Sequence, residues 1–205
     1  MGRPEKPIDP KAPRRRGNLA RLLRMIRDAA DLTYAEMAAV VDVSEATLKR
    51  AASGETVPKK ETALAFSLAA ETKGIKFAPD IRGILVSAWR MARMEERGTL
   101  HLRAPRPEYI ADYRDLSKAL EALYERAGAP PLRTVRADSG DPLALPMSTL
   151  ARIVRRESLP ADERQLMAVV HGCGADKRDD EKWRGAWEKL HVAENPTEKE
   201  FDIVV

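Results

Sequence analysis

The chain has 205 residues, of which 33% are charged and 5% aromatic, so it can form one ordinary domain or two small ones with aliphatic cores. Its single cysteine, Cys173, excludes an intrachain disulfide and fits a reducing compartment. No apolar run approaches the ~18 residues of a membrane span, and the first residues lack the apolar core of a signal peptide, so we expect a cytoplasmic protein.

The first sixteen residues are predicted to form an extended basic arm. Prolines recur at every third position from Pro4 to Pro13, a spacing that suits polyproline II backbone without a packed core. Six basic residues stand here against two acidic ones, which accounts for the whole formal net charge of +4. The basic residues are Arg3, Lys6, Lys11, Arg14, Arg15 and Arg16. Such an arm favours a polyanionic partner such as nucleic acid, although the composition also suits a solubilising tail.

Residues 17–78 are predicted to form a domain of four short helices. The first helix has an apolar stripe of Leu19, Leu22, Leu23 and Ile26. A second helix is expected over residues 34–41. Ser44 is a good N-cap for a third helix, which Gly54 would end. A fourth helix is expected after Pro58.

The rest of the chain is predicted to hold a second, similar domain. Residues 79–111 are interpreted as a connecting helix and a proline-containing linker, 112–191 as the second domain, and 192–205 as a polar tail. Runs of Val, Ile and Thr with period-two alternation are absent, so strands are not expected. The predicted fold is therefore all-α, with two tandem small helical domains joined by a helix and a linker.

An internal repeat supports two copies of one unit. The segment that starts at Thr47 aligns without a gap to the segment that starts at Thr149, at an offset of 102 residues. The matching pairs are Thr47/Thr149, Leu48/Leu150, Arg50/Arg152, Glu55/Glu157, Val57/Leu159 and Pro58/Pro160. Upstream the offset becomes 97, and residues 137–145 contain a Ser-Gly-Asp-Pro loop that can absorb the difference. Chance matching between Leu- and Ala-rich helices is the alternative.

Residues 32–48, Leu-Thr-Tyr-Ala-Glu-Met-Ala-Ala-Val-Val-Asp-Val-Ser-Glu-Ala-Thr-Leu, resemble the helix-turn-helix of the Cro/repressor-like (XRE-type) family. Ala38 is small where the two helices would cross, and Asp42 lies at the turn, where a left-handed backbone tolerates Asp. Val43 and Leu48 are apolar anchors for the third helix. The family usually has Gln in place of Tyr34 and Gly in place of Asp42. The resemblance covers roughly residues 18–72 and implies two lambda-repressor-like domains.

The resemblance also implies which residues contact DNA. Those expected to face base edges in a major groove are Glu45, Ala46, Lys49 and Arg50. Those expected to contact phosphates are Thr33, Tyr34, Ser44, Thr47 and Ser53, together with Arg3, Lys6, Arg14, Arg15 and Arg16 of the arm. Two assignments have structural alternatives. Ser44 is an N-cap with or without DNA, and Glu45 suits the first turn of any helix.

The second copy carries a corresponding but less regular set of residues that are expected to contact DNA. Base contacts are expected from Ser148, Ala151, Arg152 and Arg155. Phosphate contacts are expected from Arg133, Thr149 and Arg156. Arg136 stands where the small crossing residue belongs, and Ala137 serves only if the register slips. This copy either binds DNA, which we favour, or has become a dimerisation module.

No enzymatic signature is present: the sequence lacks a P-loop, a dinucleotide fingerprint and a nucleophile elbow. His171 and Cys173 are close in sequence but lack a second ligand pair, so no metal site and no cofactor are expected. We therefore predict a non-enzymatic, sequence-specific regulator of the repressor type, associated with the nucleoid. Its expected partner is double-stranded DNA, bound by one chain or by a homodimer, with no membrane or small-molecule ligand. The alternative is a protein-interaction or architectural scaffold, because residues 17–205 are formally neutral.

Overall fold

The computed structural model describes residues 5–75 and 80–194. Within these ranges the chain is all-helical, with ten α-helices and no strand, which confirms the predicted fold class. The same ranges hold no helix that is both long and apolar enough to cross a membrane. The chain divides into two compact units, residues 1–100 and 101–205.

Unit 1 has five helices around one core. They are α1 (Arg14–Ala29), α2 (Tyr34–Val40), α3 (Glu45–Ser53), α4 (Lys60–Thr72) and α5 (Ile81–Glu96). The predicted stripe of α1 faces the core, since Leu19, Leu23 and Ile26 are almost fully inaccessible to solvent and Leu22 is partly buried against them. Leu48 of α3 and Phe66 of α4 complete the centre of this core.

Helix α5 belongs to this core, although the sequence placed it in a connecting segment. It packs against α1 and α4, and Leu85 and Trp89 are buried there. The Trp89 indole Nε1 donates a hydrogen bond of 2.8 Å to the carbonyl oxygen of Pro58, before α4. The apolar face of α5 therefore covers the first four helices.

Helix α1 begins five residues before the first residue of its predicted apolar stripe. Arg14, Arg15 and Arg16 form its first turn and are not part of an extended arm. The carboxylate of Glu95, on α5, accepts the backbone N–H groups of Arg15 and Arg16 at 2.8–3.0 Å. Arginine favours helices without adding apolar periodicity, which explains why the pattern did not reveal this turn.

Unit 2 has five helices and a separate core. They are α6 (Tyr113–Arg126), α7 (Leu132–Asp138), α8 (Met147–Val154), α9 (Glu163–Gly172) and α10 (Asp180–Glu194), preceded by a 3₁₀ turn at Pro107–Tyr109. Ile110, from the predicted linker, is fully buried in this core. Trp183 and Trp187 of α10 pack there as well.

A close approach in unit 2 joins α7 to α9. A Cβ atom on Gly172 would lie 2.3 Å from the carbonyl oxygen of Val135, so the contact requires glycine. Val135 is fully buried. Arg136 instead points to the following loop, where its Nε donates to the carbonyl oxygen of Pro142 at 3.0 Å, and Ala137 is exposed. Neither Arg136 nor Ala137 thus fills the place of the small crossing residue.

Candidate nucleic-acid interface

Helix α2 begins with a reciprocal cap. The Thr33 hydroxyl accepts the backbone N–H of Glu36 at 3.2 Å, and the Glu36 carboxylate accepts the Thr33 backbone N–H at 2.8 Å. This capping box satisfies donors that the first helical turn leaves unpaired. Hydrogen bonds from the Thr33 backbone and hydroxyl lower the pKa of Glu36, so the carboxylate stays charged at neutral pH. The cap fixes where α2 starts relative to α1.

The turn between α2 and α3 differs from its expected conformation. Val41 is extended, with φ −127° and ψ 151°. The non-glycine residues with positive φ in the described ranges are Asp31, Ala129 and Arg156, and Asp42 is not among them. Since this turn needs no left-handed residue, Asp in place of the family's usual glycine carries no backbone strain.

Helix α3 has one buried face and one exposed face. Leu48, Ala51 and Ala52 are buried, because α3 packs on α1, α2 and α4. Ser44 caps its start by accepting the Thr47 backbone N–H at 3.3 Å, and Gly54 ends it with φ 77°. The helix is therefore fixed on three sides, and its fourth side is open.

The open side carries three of the four residues expected to face bases. Ala46, Lys49 and Arg50 are exposed. Glu45 is partly exposed, and its carboxylate lies 2.5 Å from the Lys49 ammonium in an ion pair one helical turn apart. Within residues 5–75 and 80–194, no side chain pairs with the Arg50 guanidinium. Arg50 thus presents its donors to solvent.

The hydroxyls expected to contact phosphate have roles within the fold. Ser44 and Thr47 hydroxyls share a hydrogen bond of 2.9 Å, and the Thr33 hydroxyl donates to Glu36 at 2.8 Å. The Ser53 hydroxyl donates to the carbonyl oxygen of Arg50 at 2.8 Å. These bonds hold helix ends in place, and the phosphate roles remain predictions.

Tyr34 is buried and its hydroxyl is already engaged. The hydroxyl donates to the Glu5 carboxylate at 2.6 Å. The ring meets Phe66 edge-on, and the Arg27 guanidinium lies 4.6 Å from the ring centroid. Burial and the hydrogen bond to Glu5 raise the pKa of Tyr34 above its ordinary value, so the group remains a neutral donor. In this conformation the hydroxyl does not face solvent, which differs from the predicted phosphate contact.

The arm docks on unit 1 through Glu5 and Ile8. The Glu5 carboxylate lies 3.1 Å from Arg24 Nε and 2.7 Å from Arg27 Nη1. Ile8 packs beside Gly54, where an added Cβ would lie 3.1 Å from the Ile8 side chain. Neither α1 arginine was among the predicted site residues. The signal in the sequence was their spacing of three residues, which places both on one face of α1.

The other predicted arm residues vary in position. Lys6 is well exposed, with its ammonium 3.9 Å from Glu55, while Arg14 and Arg15 are exposed and Arg16 is half-buried. Arg3 lies outside the described residues. A groove runs between the arm and α3, and Arg24, Thr33, Lys49 and Ser53 are among the residues that line it. The docked arm therefore borders the exposed side of α3.

The predicted residues of unit 2 surround α8. Ser148, Arg152 and Arg155 are exposed, and Thr149 and Ala151 are half-buried. Two further predicted phosphate contacts, Arg133 on α7 and Arg156 after α8, are also exposed. The Arg156 guanidinium lies 3.6 Å from Glu121, so its charge is partly neutralised by α6.

The loop before α8 sets unit 2 apart from unit 1. Residues 139–146 replace the short turn 41–44. The loop is tied to α9 by Asp141 and Arg164, whose Nε and carboxylate oxygen are 2.5 Å apart, while Leu143 is 83% exposed. Pro146 gives α8 no side-chain cap. An apolar side chain thus lies exposed close to the start of α8.

Residues 18–72 match the protein family described as helix-turn-helix domain. The match covers α1 from its fifth residue onward and the whole of α2, α3 and α4. It includes the Leu32 to Leu48 segment that carries the predicted motif. No curated protein and no solved structure is similar enough to the chain to count as a match. The helix-turn-helix domain suggests DNA binding, and with it a role in transcription regulation.

Proposed function

We propose that this protein is a sequence-specific, double-stranded DNA-binding regulator of the repressor type. The observation that carries the proposal is the open face of α3, where Ala46, Lys49 and Arg50 are exposed on a helix fixed by Leu48. Helix α3 is the second helix of the motif formed by α2 and α3. In a helix-turn-helix, this second helix enters the major groove and its outward side chains contact base edges. Packing of α3 on three helices supplies the rigid mount that this requires.

Each exposed side chain of α3 suits a different base contact. The exposed Arg50 guanidinium can donate to both major-groove acceptors of guanine, and the methyl group of Ala46 can contact that of thymine. Lys49 must exchange its ion pair with Glu45 for a base or phosphate. Because that pair is exposed, its loss costs little free energy. Arg50 is therefore the principal specificity residue in this proposal.

We propose further that unit 2 is a second helix-turn-helix unit. Each unit has five helices, and the second and third of each set pack on one another. Gly54 and Arg156, equivalent at the repeat offset of 102, both have left-handed backbone, with φ 77° and 63°. Arg152 and Arg155 are exposed, as a contact with DNA requires. One chain would then span two half-sites, or a homodimer would do so with unit 1 of each copy.

A second role for unit 2 is favoured by its exposed apolar residues. Leu143 and Met147, at 83% and 37% exposure, lie before and at the start of α8. Exposed apolar residues at one place are typical of protein contact surfaces. Unit 2 would then be a dimerisation module that pairs two copies of unit 1. Replacing Arg152 and Arg155 by alanine distinguishes the two roles, because only the DNA role loses affinity for DNA.

Selection of bound duplexes from a random DNA library, followed by sequencing, tests the proposal. A recurrent motif is expected, and two half-sites about one helical turn apart, or a multiple, would show how many units are bound. The double change Lys49→Glu and Arg50→Glu should abolish enrichment while thermal unfolding stays unchanged. Binding without any enriched motif would contradict sequence specificity and favour the architectural alternative.

A further inference from the structure

The Glu5 carboxylate occupies a site built from two hydrogen-bond donors, Tyr34 and Arg27, and a further guanidinium group, that of Arg24. Tyr34 donates its hydroxyl to one carboxylate oxygen at 2.6 Å, and Arg24 Nε lies 3.1 Å from the same oxygen. Arg27 donates to the other oxygen at 2.7 Å. The side chains of both arginines are only 16–17% exposed. Two guanidinium groups and a hydroxyl thus converge on one anion.

The donors of this site are held in place without Glu5. Arg24 Nε also donates to the carbonyl oxygen of Ala52, on α3, at 2.8 Å. The Arg27 guanidinium lies over the Tyr34 ring and pairs with Asp28. Tyr34 is fixed by its contact with Phe66. Arg24 Nη2 also donates to the carbonyl oxygen of Lys6, in the arm, at 3.0 Å. The contacts with Ala52, Asp28 and Phe66 do not involve the arm, and they preorganise the three side chains of the site.

The carboxylate that occupies the site and the side chains that form the site come from different segments of the chain. Arg24, Arg27 and Tyr34 lie within residues 18–72, which match the helix-turn-helix domain. Glu5 comes from the arm before α1. Guanidinium groups bind carboxylate and phosphate oxygens with similar hydrogen-bond geometry. A carboxylate from the arm can therefore stand in for a phosphate group at this position.

The site lies next to the proposed DNA-contacting face. Arg24, Arg27 and Tyr34 line the same groove as Lys49 and Ser53 of α3. Asp28 pairs with Arg27. Without Glu5, the groove would hold five basic side chains against four acidic ones, namely Asp9, Asp28, Glu45 and Glu55. A DNA strand that follows α3 would bring phosphates to this groove, where such a charge excess attracts them.

We propose that Arg24, Arg27 and the Tyr34 hydroxyl bind a backbone phosphate of DNA, and that Glu5 occupies this phosphate site until DNA displaces the arm. This inference rests on the proposed function and adds to it a contact site and an internal competitor. The arm then opposes DNA binding while docked. After release, it brings Lys6 and Lys11 to the DNA backbone. The measured affinity for DNA is then the affinity of the released form multiplied by the fraction of chains whose arm is released.

The change Glu5→Gln tests the competitor in the full chain. Affinity for a 30-base-pair duplex of random sequence, at near-physiological salt, should increase about fivefold to tenfold, because DNA no longer displaces a docked carboxylate. Asp9→Asn is the matched control. It makes the same change in net charge within the same arm, but among the residues that the structure describes the Asp9 carboxylate accepts only the backbone N–H of Lys11, at 2.9 Å. It should change affinity less than twofold.

Equal effects of Glu5→Gln and Asp9→Asn, or weaker binding by Glu5→Gln, would overturn the proposal. The second variant is Tyr34→Phe, which keeps the ring against Phe66 and removes one donor of the site. In the Glu5→Gln chain it should weaken duplex binding, and because the same hydroxyl holds Glu5 in the docked arm, it should reduce the gain from Glu5→Gln. An unchanged gain from Glu5→Gln in the Tyr34→Phe chain would also overturn the proposal. Thermal unfolding of each variant shows whether the fold is retained.

Nuclear magnetic resonance separates this inference from the proposed function. The Nε–H resonances of Arg24 and Arg27 should shift as duplex is added, in parallel with the backbone amides of α3. Shifts in α3 without shifts at these arginines would contradict the phosphate site while leaving DNA binding by α3 intact. Shifts at the arginines together with no enriched sequence in selection would retain the site and contradict sequence specificity. No binding of duplex by any variant would overturn both.

Discussion

Gly54 is the residue at which the end of α3, the first helix and the arm meet. Its φ of 77° is in the left-handed region, and an added Cβ would lie 3.1 Å from Ile8 and 3.3 Å from Ala20. Two separate costs would follow from any larger residue. The backbone would be strained, and the Ile8 side chain would have to move, which loosens the docked arm.

Gly54→Ala should lower the free energy of unfolding by about 2–4 kcal/mol, as the sum of left-handed strain and steric crowding. Gly74→Ala is the matched control, because Gly74 has the same φ of 77° and, within residues 5–75 and 80–194, no atom lies within 4 Å of the added Cβ. It should cost only about 1 kcal/mol. Equal losses in urea denaturation of the two variants would show that Ile8 does not pack at Gly54.

The residue scale also shows what the sequence could and could not predict about the site. Exposure of Lys49 and Arg50 follows from their position relative to Leu48, because one turn of helix fixes which residues share a face. The engagement of Tyr34 by Glu5 joins residues 29 positions apart. No local pattern encodes such a pair, since it depends on where the arm lies in space. Arg24 and Arg27 were missed for that reason, whereas Tyr34 was predicted as a phosphate contact without its bond to Glu5.

At the scale of elements, the N-cap predicted at Ser44 is confirmed, since its side chain begins α3. Thr33 caps α2 in the same way, although it was predicted only as a phosphate contact. The start of α1 and the placement of α5 were not predicted, because both depend on a long-range contact between these two helices. The Glu95 carboxylate replaces the cap that Pro13 cannot provide. Where a helix obtains its cap from another helix, its own sequence gives no sign of it.

Glu95→Ala should destabilise unit 1 by about 1 kcal/mol, the usual cost of removing an N-cap acceptor. The loss arises because the backbone N–H groups of Arg15 and Arg16 lose their acceptor. Glu96→Ala is the control, since Glu96 is exposed and pairs with Arg93 on its own helix. It should cost less than half as much. Hydrogen exchange at the α1 N-terminus would be faster in Glu95→Ala alone, and equal rates in both variants would contradict the cap.

At the scale of the whole molecule, unit 1 needs α5 to complete its core. Leu85, Trp89 and Ala92 of this helix are buried with α1 and α4. A fragment of residues 1–100 should therefore fold cooperatively. A fragment of residues 1–78, the domain boundary expected from sequence, should be much less stable, because burial of a large apolar side chain contributes roughly 1.5–3 kcal/mol. Circular dichroism during thermal unfolding compares them, and equal midpoints would contradict a structural role for α5.

The most direct test of the central claim compares duplexes selected from a random library by the wild type and by Arg50→Ala. The account predicts that the wild type enriches a motif. Arg50→Ala should relax preference for guanine at one position of each bound half-site and lose about 1–3 kcal/mol of discrimination there. Arg82→Ala, which removes an exposed guanidinium that pairs with Glu71, should leave the motif unchanged. An identical motif for Arg50→Ala and the wild type, or no motif for the wild type, would contradict base contact by α3.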